Sequence, residues 1–326
     1  MPNTENCGIP VIKGGRATAR SDQVQFLSHY TSKHGLIGIV RSQSLWATNF
    51  LALNDQIEFM YAWSSLTHDA YEKVLTTMPL DLRNPNVSIP DLISQLTSKL
   101  KAEAEVGNGY GHLYVTSFAR GRNEDEDTRG ILTLWDRYTK CEGFCVQFAK
   151  EDIERIIEHE KTSGSYALLE LTEVTYGIDK SDLTYQDICH QVSLRLLKEI
   201  VLRTRDRRIT VDWQAMWADT ALITNVLRYC GCHKDPAFSD EREMRVMAYP
   251  VHAAEYRVFT GLTTPKRIYQ RTATRPTKYI VIGENRLPGV TPKRILIGPK
   301  AELNFYEIQA LYPSIPEISR SNIPIR

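Results

Sequence analysis

The chain has 326 residues, enough for one large domain or two ordinary ones, and its 42% hydrophobic and 24% charged residues supply a core of normal size. A formal net charge of +1 excludes attraction of the whole molecule to nucleic acid or anionic membrane, so a local patch must hold any such partner. No run approaches the roughly 18 apolar residues of a membrane span, and residues 1–23, without an apolar signal core, read as a flexible tail on a cytoplasmic protein with reduced cysteines.

In chain order, alternating or β-branched runs predict strands at Gln25 to Tyr30, Ser44 to Thr48 and Leu113 to Phe118. Further strands are expected at Gly143 to Phe148, Leu168 to Tyr176, Glu243 to Tyr249, Lys278 to Ile282 and Arg294 to Ile297. Helical spacing predicts helices over Asp55 to Leu75, Asp91 to Val106, Gln186 to Arg203, Asp212 to Cys230 and Ala301 to Leu311. The acidic run Glu124 to Asp127 reads as a solvated loop. Cys230-Gly-Cys232-His233 could bind zinc only with a second ligand pair, which Cys141 and Cys145 would supply by long-range pairing, and it reads better as small buried residues at a helix end, with Gly231 as the cap. Strands and helices do not alternate strictly, and no Gly-x-Gly-x-x-Gly follows a strand. The expected class is therefore α+β, with a split, mostly antiparallel sheet. Residues 24–326 read as one domain with helical insertions near 55–106 and 186–232.

Four segments carry candidate chemistry. His29-Tyr30-Thr31 ends a strand before a short helix, and His29 with Thr31 can grip a ribose diol or a carboxamide; alternatively His29 is a satisfied strand-end histidine. Around Glu243, a strand period of two puts Glu241, Glu243, Arg245 and Met247 on one face. Such a face is either a Glu-x-Glu site or a cross-strand ion-pair ladder. Trp135 and Tyr138, three apart, share a helix face, which suits either stacking on a flat ring or core packing. Last, Tyr256 to Gly283 is rich in Arg and Lys interleaved with aromatics, including Arg267, Tyr269, Arg271 and Arg275. This suits a phosphate backbone with stacked bases, or solvated loops. Arg203 to Arg208 forms a second basic patch.

Taken in order, these motifs resemble a widespread bacterial family whose members carry a domain of unknown function. They are His29-Tyr-Thr-Ser, Leu53-Asn54-Asp55 with Glu58, Ser117-Phe118, Trp135-x-x-Tyr138, Gly-Phe-Cys-x-x-Phe, Phe238-x-x-Glu-x-Glu-x-Arg and Ile295-Leu-Ile-Gly-Pro-Lys300. That family in turn resembles the ADP-ribosyltransferase superfamily, which includes bacterial toxins that modify DNA. The resemblance implies a split-sheet cleft for NAD⁺, cleavage of the nicotinamide–ribose bond, and transfer of ADP-ribose to a macromolecule; the basic, aromatic stretch puts nucleic acid (RNA or DNA) ahead of protein as that acceptor. It implies catalytic roles for Glu243, Glu241 and His29 and NAD contacts from His29, Tyr30, Thr31, Trp135, Tyr138 and Arg245, with no metal. The basic segment, through Arg267, Tyr269, Arg271 and Arg275, then serves the acceptor. A toxin or anti-phage role with a neutralising antitoxin partner follows from the danger of such an activity, and the lack of a long apolar run predicts no membrane contact. Two other classes stand beside it: a non-catalytic nucleic-acid or protein-binding module, and a metal-dependent nuclease using the same acids.

Overall fold

The structure is a computed structural model that describes residues 25–50, 56–77, 91, 94, 113–206, 220–251, 266–271, 277–284, 289–302 and 305–324. The expected tail, most of the helix at Asp91 to Val106, the start of the one at Asp212, and Arg275 lie outside the described residues, as do the side chains of Arg203 to Arg208.

Within them the chain runs β1 (Phe26–Thr31), α1 (Lys33–Ser42), β2 (Leu45–Asn49), α2 (Gln56–Thr77), β3 (Tyr114–Ala119), α3 (Glu124–Arg129), α4 (Leu132–Thr139), β4 (Phe144–Ala149) and α5 (Lys150–Lys161). It continues with β5 (Tyr166–Glu173), β6 (Thr175–Tyr176), α6 (Leu183–Asp206), α7 (Thr220–Cys232), β7 (His233–Lys234), a 3₁₀ turn (Pro236–Glu241) and β8 (Glu243–Pro250). The last elements are β9 (Ile268–Arg271), β10 (Thr277–Ile282), β11 (Arg294–Ile297), α8 (Phe305–Leu311) and β12 (Glu317–Arg320).

The result is α+β, as expected, with a mostly antiparallel sheet. Ten strands join in one sheet along β12-β11-β4-β1-β3-β2-β10-β9, while β8 pairs with β3 and carries β5 on its far side. Only β11–β12 pair in parallel within it. Helices cover both faces. Trp63, Leu66, Leu196, Val226 and Leu227 of α2, α6 and α7 pack on the face that includes Val115 and Met247. Leu36, Ile39, Ile153, Ile156 and Ile308 of α1, α5 and α8 pack on the other, with Phe118, Val146 and Val246. Strand β4 is buried along both faces, so its alternation is between two cores and not between core and water.

Three local expectations are corrected. The acidic run forms helix α3: Asn123 accepts the Glu126 amide, and acids in a first turn suit the positive helix end. Gly231 is not a cap but lies inside α7. A Cβ there would fall 2.8 Å from both Leu113 and Met247, so the glycine allows the helix to rest on the sheet. Glu241 is not on the Glu243 strand: it ends the 3₁₀ turn, and Arg242, in the left-handed region at φ 44°, turns the chain into β8.

The feature that positions the site is a fork. One edge of β3 is paired with β8 along its whole length, from Tyr114 to Ala119. The other edge is shared. β1 pairs with it only at Ser28↔Ala119, and β2 only at Thr48↔Val115 and Asn49↔Tyr114. Between those contacts both strands leave β3, and α1 connects their diverging ends. Ser32 caps α1 through the Gly35 amide, and Gly35 carries no Cβ because one would lie 2.0 Å from the Thr31 hydroxyl.

Candidate active site

Over the fork, Thr116 to Phe118 lose their strand partner on one side, and side chains replace it. The His29 Nδ1 bonds the Ser117 carbonyl at 2.9 Å, and the Thr116 hydroxyl donates to the Trp46 carbonyl at 3.0 Å. The space left is a cleft of about 330 Å³, within the size range of small-molecule sites. His29, Tyr30 and Thr31 line it from β1, Trp46 from β2, Ser117 from β3, Tyr138 from α4, and Glu241, Glu243 and Arg245 from the far side. Cross-strand pairing puts Ser117 and Arg245 on one face of the sheet and Phe118 on the other, where His29 lies 5.8 Å from its ring. The cleft therefore passes through the sheet, with the histidine on one face and the acids on the other.

The acids belong to a closed ionic group. Lys234, 1% exposed, sets its ammonium 2.5 Å from Glu58, 2.7 Å from Glu241 and 3.3 Å from Glu243. Arg245 donates to Glu243 through Nε at 2.7 Å and Nη2 at 2.9 Å, to Glu58, and through Nη1 to the Gly231 carbonyl at the end of α7 at 2.7 Å. Arg137 pairs with Glu241, and Tyr138 donates to the same carboxylate at 3.2 Å. Tyr176 accepts the Glu243 amide at 2.8 Å. Three carboxylates thus meet three cations.

The consequences for protonation follow. Burial alone would raise the Glu243 carboxyl, but Arg245, Lys234 and the Ser117 hydroxyl outweigh it and hold it below its ordinary range, as a carboxylate. Burial would lower Lys234, yet Glu243, Glu58 and Glu241 keep its pKa above the ordinary value, so it stays an ammonium. At His29 burial wins over the Ser117 carbonyl and lowers the pKa, which leaves a neutral imidazole. Burial, then the charge of Glu241, raises the Tyr138 phenol and keeps it a donor. The group can stabilise positive charge developing in the cleft through a fixed, ionised Glu243. Lys234 occupies the position among the acids that a divalent ion would need, and among the described residues no three or more His, Cys, Asp or Glu side chains are arranged to hold a metal.

Other expected residues fare differently. Trp135 is fully buried, donates its indole N–H to the Arg129 carbonyl and packs with Cys141, Cys145 and Leu296, so it does not line the cleft. Tyr138, three residues on, is 48% exposed; the expected shared face splits between core and cleft mouth because a step of three turns a helix only about 300°. Tyr30 lines the cleft, but its hydroxyl is used by the Ile131 amide at 2.6 Å. In the basic segment Arg271 reaches the cleft; Arg267 and Tyr269 stand further along the same edge.

Sequence reasoning gave no role to Lys234, Glu58 or Tyr176. Glu58 stood in a quoted motif, but nothing local marks Lys234, whose burial depends on acids from α2, the 3₁₀ turn and β8. No curated protein and no solved structure matches the chain. His29, Glu58 and Ser117 lie before residue 134, and Tyr138, Lys234, Glu241, Glu243 and Arg245 lie within residues 134–246, a span that matches a family. In keeping with the resemblance to a domain-of-unknown-function family, residues 134–246 match the family described as "Protein of unknown function (DUF2971)".

Proposed function

We propose that the protein is an NAD⁺-dependent ADP-ribosyltransferase with a split sheet of that superfamily's type. The observation that carries the reading is the fork, where His29 and Glu243 line one cleft through the sheet. In this reading the nicotinamide–ribose C–N bond breaks with its electron pair leaving on nicotinamide, and positive charge grows on the sugar carbon. Glu243, kept ionised by Arg245 and Lys234, accepts a bond from the adjacent ribose hydroxyl and stabilises that charge. The acceptor's nucleophile then bonds the carbon, and its proton passes to Glu241 or solvent. Neutral His29 and Thr31 bind the ribose and the carboxamide by hydrogen bonds. The acceptor is a macromolecule, nucleic acid ahead of protein, and the biological setting a toxin or anti-phage effector restrained by a partner.

The test is labelled NAD⁺ incubated with the protein and with RNA, DNA or lysate. Glu243→Gln keeps the side chain's shape and should lower NAD⁺ cleavage by about 10²–10³-fold. Cleavage unchanged in that variant removes Glu243 from the chemistry. A second reading, a binding module with a structural ionic core, is favoured by the full matching of charges around Lys234. It requires that no NAD⁺ be consumed while the same variant loses stability.

A further inference from the structure

Resting on the nucleotide reading above, we infer that Arg271 is an anion anchor at the mouth of the cleft and binds a phosphate group of the ligand. Among the charged side chains lining the cleft, Glu58, Glu241 and Glu243 are matched by Lys234, Arg245 and the neighbouring Arg137. Arg271 has no carboxylate partner among the described residues, so of the cations lining the cleft it is the one whose charge is not taken up by those acids.

This guanidinium is also held in place. Its Cζ lies 5.6 Å from the Trp46 ring centroid and 5.7 Å from that of Tyr279. Those rings stack on each other at 5.4 Å across β2 and β10, and Tyr269 of β9 continues the stack at 5.4 Å. Trp46 is fixed in turn by α1, where a Cβ at Gly38 would fall 2.6 Å from the indole. A guanidinium lying against rings uses its face, and its N–H edge stays free for the paired oxygens of a phosphate. The N-terminal turn of α1 lines the same cleft through Ser32 and Gly35, which adds the positive end of a helix dipole to that wall. The indole N–H of Trp46 is buried and has no partner among the described residues, a further donor beside the anchor.

The phosphate has two possible sources, the diphosphate of the dinucleotide and the backbone of a nucleic-acid acceptor, and a binding assay separates them. ADP-ribose and a short single-stranded RNA are titrated into wild-type and Arg271→Gln protein, with adenosine as the phosphate-free control. Arg271 is exposed, so the variant should fold, and a thermal melt checks this. A loss of about 10- to 100-fold for ADP-ribose, with adenosine unchanged, assigns the anchor to the dinucleotide. The same loss confined to RNA assigns it to the acceptor. Arg271→Lys, which keeps the charge without the fork, should recover part of either loss. Affinities for both phosphate ligands that are the same in wild type and variant overturn the inference, as does failure of the wild type to bind either. No bond is broken in this assay, so absence of NAD⁺ cleavage would sink the transferase reading and leave the anchor standing.

Discussion

Replacing Lys234 with Met keeps most of the apolar stem, one atom shorter, and removes the one cation shared by Glu58, Glu241 and Glu243. Arg245 and Arg137 remain, so two positive charges face the buried Glu241 and Glu243 and the partly buried Glu58. Breaking a buried ionic group from one side costs about 3–5 kcal/mol, because the abandoned charge has been stripped of water. That is a large part of the roughly 5–15 kcal/mol by which domains are stable. An unmatched buried carboxylate relieves itself by taking a proton, so its pKa in the folded variant should rise above the unfolded value. The loss should therefore be largest near neutral pH and shrink on acidification toward about pH 5. Urea unfolding of wild type and Lys234→Met at several pH values measures both features. A double variant with Glu241→Gln removes one acid along with the cation and should regain about 1–3 kcal/mol. A loss below about 1 kcal/mol in Lys234→Met, or one that grows as pH falls, would refute the picture of a closed charge group.

Two further outcomes follow from the geometry. Burial depresses His29 and His233 below their ordinary value, so the stability they contribute is complete above about pH 6.5 and lost as pH falls through their folded values. Glu243 is also depressed, and adds a second loss below its ordinary carboxyl range; unfolding midpoints followed down to about pH 2 should decline in these two stages, and a flat profile contradicts the burial argument. Gly143→Ala would bring a Cβ within 2.5 Å of the Thr31 carbonyl and 2.8 Å of Thr139. It should cost about 1–3 kcal/mol in a thermal or urea melt and weaken cleft binding through Thr31, whereas a wild-type melting curve would show that β1 yields freely there.

Much of the sheet is legible because its strands announce themselves locally. Arg294-Ile-Leu-Ile runs into Gly-Pro, and Glu243 to Tyr249 has its charged and apolar faces in register with β3. The helix over Lys150–Lys161 is absent from the sequence reading even though Ile153, Ile156 and Ile157 have helical spacing. Strand β9 is not visible, because four residues in a basic segment become a strand only by pairing with β10. At the site, His29, Glu243, Arg245 and Tyr138 can be picked out from residue type and spacing. Trp135 cannot be sorted from Tyr138 in this way, since spacing gives direction around a helix and not what lies opposite. Lys234 is the hardest case: a lone lysine reads as solvated surface, and only contacts spanning more than 170 residues, to Glu58, bury it.

Because two strands take turns along one margin of β3, the central layer has a seam held by a ring nitrogen and a hydroxyl instead of by successive amides. Prising apart an intact ladder would cost many backbone bonds at once, whereas widening this seam costs two. In the proposed reading, a flat ligand would enter between the two arms with every pairing of β3 with β8 closed. If the proposed reading holds, the fully paired margin would keep the acids in position while the seam takes up the ligand.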